Sequence, residues 1–223
     1  MSCKADANSK FLSNNNPWNS NFSFLCWVIC NTLPTSGTFR SVWSVDDNGT
    51  FTSLAFFNSA GTQQLTLSGP GIAPDTVVLS GVTANTPYFV AGIYPNVGGA
   101  TFTAYVGTGG SLTTVTSPSG SFSGTSGDLF VFNESANDQF LNGEALAVKI
   151  YSGVQLSLAA VQNEYRSWRP VRTASIYSFP KLLNNGTPEV DWSGKGNSFT
   201  ATGTLVAAGN MPPIPYSPQP MMM

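Results

Sequence analysis

The stretch Phe22-Ser-Phe-Leu-Cys-Trp-Val-Ile-Cys30 decides the fold. Its middle is apolar at odd and even positions alike, and it is rich in the aromatic and β-branched residues that favour strands. Successive side chains of a strand point to opposite faces of the sheet, so such a stretch needs apolar cover on both sides. We therefore predict a central strand over 22–30 that is buried on both faces.

Short strand signals follow this stretch at close spacing, with turn sequences such as Asp47-Asn-Gly and Gly107-Thr-Gly-Gly between them. Many short strands at such spacing predict an all-β, antiparallel, two-sheet sandwich. The predicted strands cover residues 39–45, 51–57, 64–67, 76–79, 88–94, 101–106, 112–115, 129–132, 174–179 and 198–206.

One short helix interrupts the strand pattern near residues 157–168. Ser157 can cap its first turn, and Pro170 lies just past its end. Apolar residues three and four positions apart form one stripe that we expect to pack on the edge of the sandwich: Leu158, Val161, Tyr165 and Trp168.

The composition divides the chain into three parts. Residues 1–16 are polar and predict an N-terminal arm, residues 17–207 form the sandwich, and residues 208–223 form a proline-rich, extended tail.

Three segments match a known pattern. Asn142-Gly-Glu-Ala-Leu-Ala-Val-Lys-Ile-Tyr-Ser, followed by Val154-Gln-Leu-Ser-Leu-Ala-Ala-Val-Gln-Asn-Glu-Tyr, is similar to the closing strand and helix of laminin-G-like, concanavalin A-like jelly rolls. Phe22-Ser-Phe-Leu-Cys-Trp-Val resembles an early strand of that family. Ile176-Tyr-Ser-Phe-Pro-Lys-Leu with Asp191-Trp-Ser-Gly-Lys-Gly-Asn-Ser-Phe-Thr-Ala-Thr-Gly resembles its opening segment. The resemblance implies a jelly-roll sandwich and says little about function.

The last of these segments opens the domain in that family, whereas here it closes the chain. We interpret this as a circularly permuted jelly roll, in which C-terminal strands fill the places of missing N-terminal ones. The alternative is that residues 174–207 begin a truncated second domain.

Charge and targeting signals limit the partners. The net charge is −2 and only 9% of residues are charged, so no basic surface is expected for nucleic acid or for a membrane. The chain start shows no signal-peptide pattern, and no apolar run is long enough to span a membrane. Cys26 and Cys30 lie four residues apart on one predicted strand, beyond disulfide reach, which indicates reduced thiols and synthesis in a cytoplasm.

The chain contains no histidine, which excludes Ser-His-Asp and Cys-His catalysis and histidine metal sites. Cys26 lies in the predicted buried strand and is interpreted as core packing. Some glycosidases share the concanavalin A-like fold, and the resemblance implies that such an enzyme would have a strand with the pattern Glu-x-Asp-x-Glu. This chain contains no such pattern. The nearest carboxylate pair, Glu189 and Asp191, lies in a predicted loop. We therefore expect no catalytic residues and no enzymatic activity.

Two groups of residues are candidate binding sites. Asp191, Ser193 and Asn197 offer oxygen ligands for calcium around a glycine-rich turn, but Lys195 puts a positive charge among them. The favoured interpretation is an Asx-type turn without a cofactor. Aromatic side chains for a glycan or a protein interface are Trp18, Trp192 and Tyr216, whereas Trp27, Trp43 and Trp168 are expected in the core.

These features favour a non-enzymatic structural protein of a virion, synthesised in the host cytoplasm. Low surface charge suits a large assembly, and the two terminal extensions can lie across neighbouring subunits. We expect a bacteriophage capsid decoration or cement protein, homo-oligomeric, that binds the major capsid protein or other virion proteins and stabilises the capsid. The alternative is a carbohydrate-binding, lectin-like module of a phage tail or bacterial surface protein, with a glycan partner. A cryptic glycosidase is a weaker third possibility.

Overall fold

The computed structural model describes residues 2–5, 10–13, 21–47, 50–69, 72–95, 102–108, 111–117, 129–132, 140–180, 190–202 and 205–208. Within these ranges the backbone forms fifteen strands and one helix, α1 (Leu158–Tyr165). The strands are β1 (Ser2–Ala5), β2 (Lys10–Ser13), β3 (Phe22–Cys30), β4 (Phe39–Asp47), β5 (Thr50–Ser59), β6 (Thr62–Gly69), β7 (Ile72–Ser80), β8 (Pro87–Tyr94), β9 (Phe102–Gly107), β10 (Leu112–Ser117), β11 (Leu129–Val131), β12 (Gly143–Ser152), β13 (Ile176–Ser178), β14 (Thr200–Thr202) and β15 (Leu205–Ala208).

The strands form two sheets, one of eight strands and one of seven. The eight-stranded sheet has the order β10-β9-β8-β3-β12-β1-β15, with β13 also paired to β12. The seven-stranded sheet has the order β14-β2-β11-β4-β5-β6-β7. All pairings between these strands are antiparallel. The predicted all-β, two-sheet jelly-roll sandwich is thus confirmed.

Strand β3 lies between β8 and β12 near the middle of its sheet. Its residues Phe22, Phe24, Cys26, Val28 and Cys30 belong to the core between the two sheets. Its residues Leu25 and Trp27 belong to a second apolar cluster on the outer face of the same sheet. The prediction of a central strand buried on both faces is therefore confirmed.

The second cluster exists because α1 and the segment after it cover the outer face of the eight-stranded sheet. Val161 and Tyr165 of α1, followed by Ile176 and Phe179, pack onto Trp27 and its neighbours. The Trp27 ring stacks on the Tyr165 ring, with centroids 5.3 Å apart and an interplanar angle of 18°. This cover gives the sheet a third layer, and the candidate functional site lies on it.

The structure differs from the predicted arm over 1–16. Residues 2–5 form β1, which pairs with β12 on one side and β15 on the other. Residues 10–13 form β2, which pairs with β11 and β14. Both segments are therefore part of the sandwich, a correction to the sequence interpretation. Each segment has only four residues, too few to show the alternation of polar and apolar residues that marks a strand. Backbone hydrogen bonds to strands distant in sequence hold them in the sheets.

The C-terminal strands join the same two sheets. Strand β13 pairs with β12, β14 pairs with β2, and β15 pairs with β1. This pairing contradicts the alternative in which residues 174–207 begin a second domain. Strands β1 and β2 are thus neighbours of β15 and β14 in the two sheets, an arrangement compatible with a circularly permuted sandwich. The predicted tail lies outside the described residues from 209 onward.

Helix α1 begins where the sequence predicts and ends earlier. The Ser157 side chain accepts a hydrogen bond from the Ala160 N–H at 3.4 Å, as an N-cap does. The helix ends at Tyr165 instead of Trp168, and Leu158 is exposed rather than part of the buried stripe. With eight residues, α1 is too short to cross a membrane, and the described chain has no longer helix.

One glycine in β12 is required by close packing. Gly143 pairs with Cys30 of β3, and a Cβ atom at this position would overlap with the Ile29 carbonyl oxygen. Any side chain here would therefore push β12 away from β3.

Candidate functional site

A buried polar cluster anchors the outer layer to the sheet. Strand β12 contains a bulge between Leu146 and Lys149. Leu146 pairs with Trp27 and Lys149 pairs with Leu25, so two residues of β12 lie opposite one residue of β3. Ala147 has a φ of 51° at this bulge. The extra residue reverses which side chains point outward, so Lys149 and Tyr151 face α1 instead of the core between the sheets.

Lys149 uses all three of its donors in this cluster. Its Nζ lies 2.7 Å from Glu164 Oε2, and both side chains are only 1% exposed. The same Nζ donates to the carbonyl oxygens of Glu164 and Ser167, at 2.9 and 2.7 Å. Burial lowers the pKa of Lys149, and the Glu164 carboxylate offsets this lowering only in part. A cation at the C-terminal end of α1 also complements the helix dipole.

Glu164 connects α1 to the segment that follows it. Its Oε1 accepts hydrogen bonds from the Tyr151 hydroxyl at 2.8 Å and from the backbone N–H groups of Val171 and Arg172 at 2.9 and 2.8 Å. Burial and the neighbouring carboxylate raise the pKa of Tyr151, so the phenol remains a donor. The carboxylate thus fixes the backbone at 171–172 through groups that are themselves buried.

A second carboxylate organises the neighbouring loop. Asp191 Oδ1 accepts from the N–H groups of Phe179 and Ser193, at 2.9 and 2.8 Å. Its Oδ2 accepts from the Ser193 hydroxyl and the Asn197 N–H, at 2.7 and 3.0 Å. Burial raises the pKa of Asp191, but these hydrogen bonds lower it by more, so it lies below its ordinary value of 3.8. The hydrogen bond from the Ser193 N–H to the Asp191 side chain, two residues earlier, defines an Asx turn.

The two organised segments face each other across a cavity of about 610 Å³. One wall comes from the segment after α1, and the other comes from the Asp191 loop. The residues that line it are Arg169, Pro170, Thr173, Ile176, Phe179, Trp192, Ser193 and Lys195.

Trp192 is the most exposed large apolar residue in the described chain, at 58%. Its backbone is held in place by a hydrogen bond from its N–H to the Phe179 carbonyl oxygen, at 3.1 Å. Val171 and Val190, also exposed, lie on the same two segments. An exposed aromatic side chain that lines a cavity is typical of a binding site.

The sequence-predicted site residues divide into three groups. Trp192 lines the cavity, and Asp191, Ser193 and Asn197 lie together in the loop beside it. Trp27 and Trp43 are buried, and Trp168 packs against the outer cluster, as predicted. Trp18 and Tyr216 lie outside the described residues.

The metal and catalytic candidates have specific surroundings. All four contacts to the Asp191 oxygens come from hydrogen-bond donors, and Asn197 Nδ2 donates to the Tyr177 carbonyl oxygen at 2.8 Å. In the described ranges, no three Cys, Asp or Glu residues are grouped to hold a metal ion. Glu189 lies outside those ranges, and no carboxylate is among the described residues that line the cavity.

Sequence reasoning missed Lys149, Glu164 and Arg169, and it named Lys195 only as a charge that disfavours calcium. One signal for the cations is present in Arg166-Ser-Trp-Arg-Pro-Val-Arg172, which holds three of the chain's four arginines. Glu164 had a weaker signal, since it lies three residues after Val161 on the buried side of α1. Nothing local to the sequence marks Lys149 as its partner.

Comparison with known proteins gives likeness at the level of structure. No protein-family model matches the chain, and no curated protein matches it. A Bacteroides ovatus ATCC 8483 protein named "putative carbohydrate binding protein" superimposes with a TM-score of 0.60 and 15% identity, over 93% of this chain and 60% of that one.

Two further structures come from a phage tailspike. The enzymatically active domain of tailspike protein 2 of bacteriophage CBA120 gives a TM-score of 0.54, with 16% identity over 78% of this chain and 28% of that one. Full-length tailspike protein 2 from an Escherichia coli O157:H7 bacteriophage gives a TM-score of 0.53, with 16% identity over 78% of this chain and 25% of that one. This chain thus spans about a quarter of the tailspike chains. Identities this low show a shared fold alone, that of a jelly-roll-like β-sandwich found in carbohydrate-binding and tailspike proteins.

Proposed function

We propose that this chain is a carbohydrate-binding module of a phage tail or bacterial surface protein, and that the cavity beside Trp192 is its glycan site. The single observation that carries the proposal is the exposed Trp192 ring at the cavity. Sugar rings present an apolar C–H face that packs on aromatic rings, and their hydroxyl groups need hydrogen-bond partners.

The rest of the cavity suits a sugar. Thr173 supplies a hydroxyl group, and Ile176 and Phe179 supply apolar surface. Its volume of about 610 Å³ falls within the usual range of roughly 300–1,000 Å³ for small-molecule sites. Both walls are held by the buried carboxylates of Glu164 and Asp191, so the site is largely formed before a ligand arrives.

The proposed module is non-enzymatic. General acid and base catalysis of glycoside hydrolysis usually requires two carboxyl groups that face the sugar. The described residues that line the cavity include none, and the nearby Asp191 carboxylate is occupied by four hydrogen bonds.

The likeness to a Bacteroides ovatus protein named for carbohydrate binding supports this function better than it supports capsid decoration. The likeness to phage tailspike structures is compatible with a phage tail. Binding to a major capsid protein has no support among these observations.

A glycan array probed with the full chain tests the proposal. The expected result is binding to a restricted set of glycans, lost in Trp192→Ala. Val77→Ala is a matched control, because Val77 is an exposed apolar residue of β7 in the other sheet. Absence of binding to any glycan, or identical array profiles for wild type and Trp192→Ala, would contradict the proposal.

A further inference from the structure

Among the described residues, the exposed charges that line the cavity are of one sign. Arg169 and Lys195 line it and are exposed, and Arg166 and Arg172 lie exposed on the same segment as Arg169. In the described ranges 153–180 and 190–202, the acidic residues are Glu164 and Asp191, and both are buried.

Both acidic residues are also occupied. The charge of Glu164 is balanced by Lys149, and its carboxylate accepts hydrogen bonds from the backbone N–H groups of residues 171 and 172. Asp191 accepts four hydrogen bonds from residues 179, 193 and 197. The salt bridge of Glu164 is with Lys149, at 2.7 Å. Arg169 and Lys195 therefore have no carboxylate partner within the described part of the chain.

This local charge is unusual for the molecule. The whole chain has nine Lys and Arg residues and a net charge of −2, so a generally basic surface does not explain it. The backbone near both cations is also held in position. Glu164 fixes the backbone just after Arg169, and the Lys195 N–H donates to the Ser193 hydroxyl at 3.2 Å. A backbone that is fixed before binding reduces the entropy lost when an anion arrives.

We propose that the cavity selects acidic glycans, with Arg169 and Lys195 binding the carboxylate of a sugar whose ring packs on Trp192. This inference rests on the proposed carbohydrate-binding function and adds the substrate class. A guanidinium binds a carboxylate through paired N–H donors, and an ammonium contributes a point charge. The Thr173 hydroxyl remains for a sugar hydroxyl group, whereas the Ser193 hydroxyl already donates to Asp191 and accepts from the Lys195 N–H.

A sugar acid fits better than a polyanion such as nucleic acid. Binding of a phosphate backbone requires an extended basic surface, whereas here two cations lie in a cavity on a chain of negative net charge. The aromatic ring and the apolar wall formed by Ile176 and Phe179 suit a ring ligand rather than a free inorganic anion.

The test compares an acidic polysaccharide that contains uronic acids with its carboxyl-reduced form, in which each carboxylate becomes a primary alcohol. Binding to the full chain is measured by calorimetric titration. We expect the reduced form to bind at least tenfold more weakly, and Arg169→Gln and Lys195→Gln each to weaken binding of the acidic form about tenfold, the effect of one charged hydrogen bond. Arg166→Gln, which removes the same charge outside the cavity lining, should change affinity less than twofold.

The outcomes separate this inference from the function on which it rests. Equal, Trp192-dependent binding of the two polysaccharide forms would overturn the acidic selectivity and leave carbohydrate binding in place. Absence of binding to both forms and to every array glycan would overturn both. Equal loss in Arg166→Gln, or comparable binding to single-stranded DNA or to vesicles of anionic lipid, would show general anion attraction and overturn the inference.

Discussion

Lys149 of β12 and Glu164 of α1 form an ion pair 2.7 Å long that is almost completely buried. The pair joins the central sheet to the helix that covers it, and through the 171–172 backbone it also holds the wall that carries Arg169. A bulge at Ala147 turns Lys149 towards the helix. The stability of the outer layer and the shape of the candidate site thus depend on the same two residues.

We predict that Glu164→Gln lowers the free energy of unfolding by about 3–5 kcal/mol, the usual effect of removing one partner of a buried ion pair. The substitution leaves the Lys149 ammonium buried without a countercharge. Urea denaturation of the full chain measures the effect. Arg166→Gln, an exposed charge change at the end of the same helix, should stay within about 0.5 kcal/mol of wild type. A stability equal to wild type in Glu164→Gln would contradict the role given to the pair.

The lowered pKa of Asp191 predicts how the stability of the folded protein depends on pH. Its pKa in the folded protein lies below 3.8, so the native state holds this proton more weakly than the unfolded state. Its contribution is therefore fully present above the unfolded pKa and is lost as the pH falls through the folded pKa. Asp191→Asn should be less stable at neutral pH and should lose less stability below pH 3.8. Urea unfolding at a series of pH values measures this, and identical pH profiles would contradict it.

The parts of the molecule that depend on local pattern could be predicted from the sequence. Residues 22–30 are apolar at both odd and even positions. Because odd and even positions of a strand face opposite sides of the sheet, this pattern is enough to predict burial on both faces. Ser157 marks the helix start, since capping acts within one turn. The Asp191 loop and the exposure of Trp192 follow from a glycine-rich turn between two strands.

Features that depend on distant pairing could not be predicted in this way. Lys149 and Glu164 are fifteen positions apart, and a bulge decides that they meet. The cavity joins residues 169–179 to residues 192–195 through tertiary packing. Strand β1 is too short to show a period, and its order comes from two neighbouring strands.

We predict that Lys4→Pro destabilises the sandwich by about 3 kcal/mol, because proline cannot donate a backbone hydrogen bond to the ladder. Lys4 pairs with Glu144 of β12 and Val206 of β15, so β1 has a partner on both sides. Lys4→Ala, which keeps the N–H, is the matched control and should be close to wild type. Thermal unfolding compares the two, and equal stability would support the arm that the sequence alone suggests.

The buried thiols should be unreactive in the native protein. Burial raises the pKa of Cys26 far above its ordinary value and that of Cys30 to about 12, and the thiolate is the reactive form. In a Cys3→Ser variant we expect no thiol to react with an aromatic disulfide reagent before unfolding, and both remaining thiols to react after denaturation. Stoichiometric labelling of the folded variant would contradict the packing of β3.

The function rests on Trp192, which is 58% exposed at the cavity. The most direct test is a calorimetric titration of the glycan selected on the array against wild type, Trp192→Ala and Val77→Ala. Loss of a central aromatic contact should weaken binding at least about tenfold in Trp192→Ala, while Val77→Ala stays within about twofold. Wild-type affinity in a folded Trp192→Ala variant would contradict the assignment of this cavity as the glycan site.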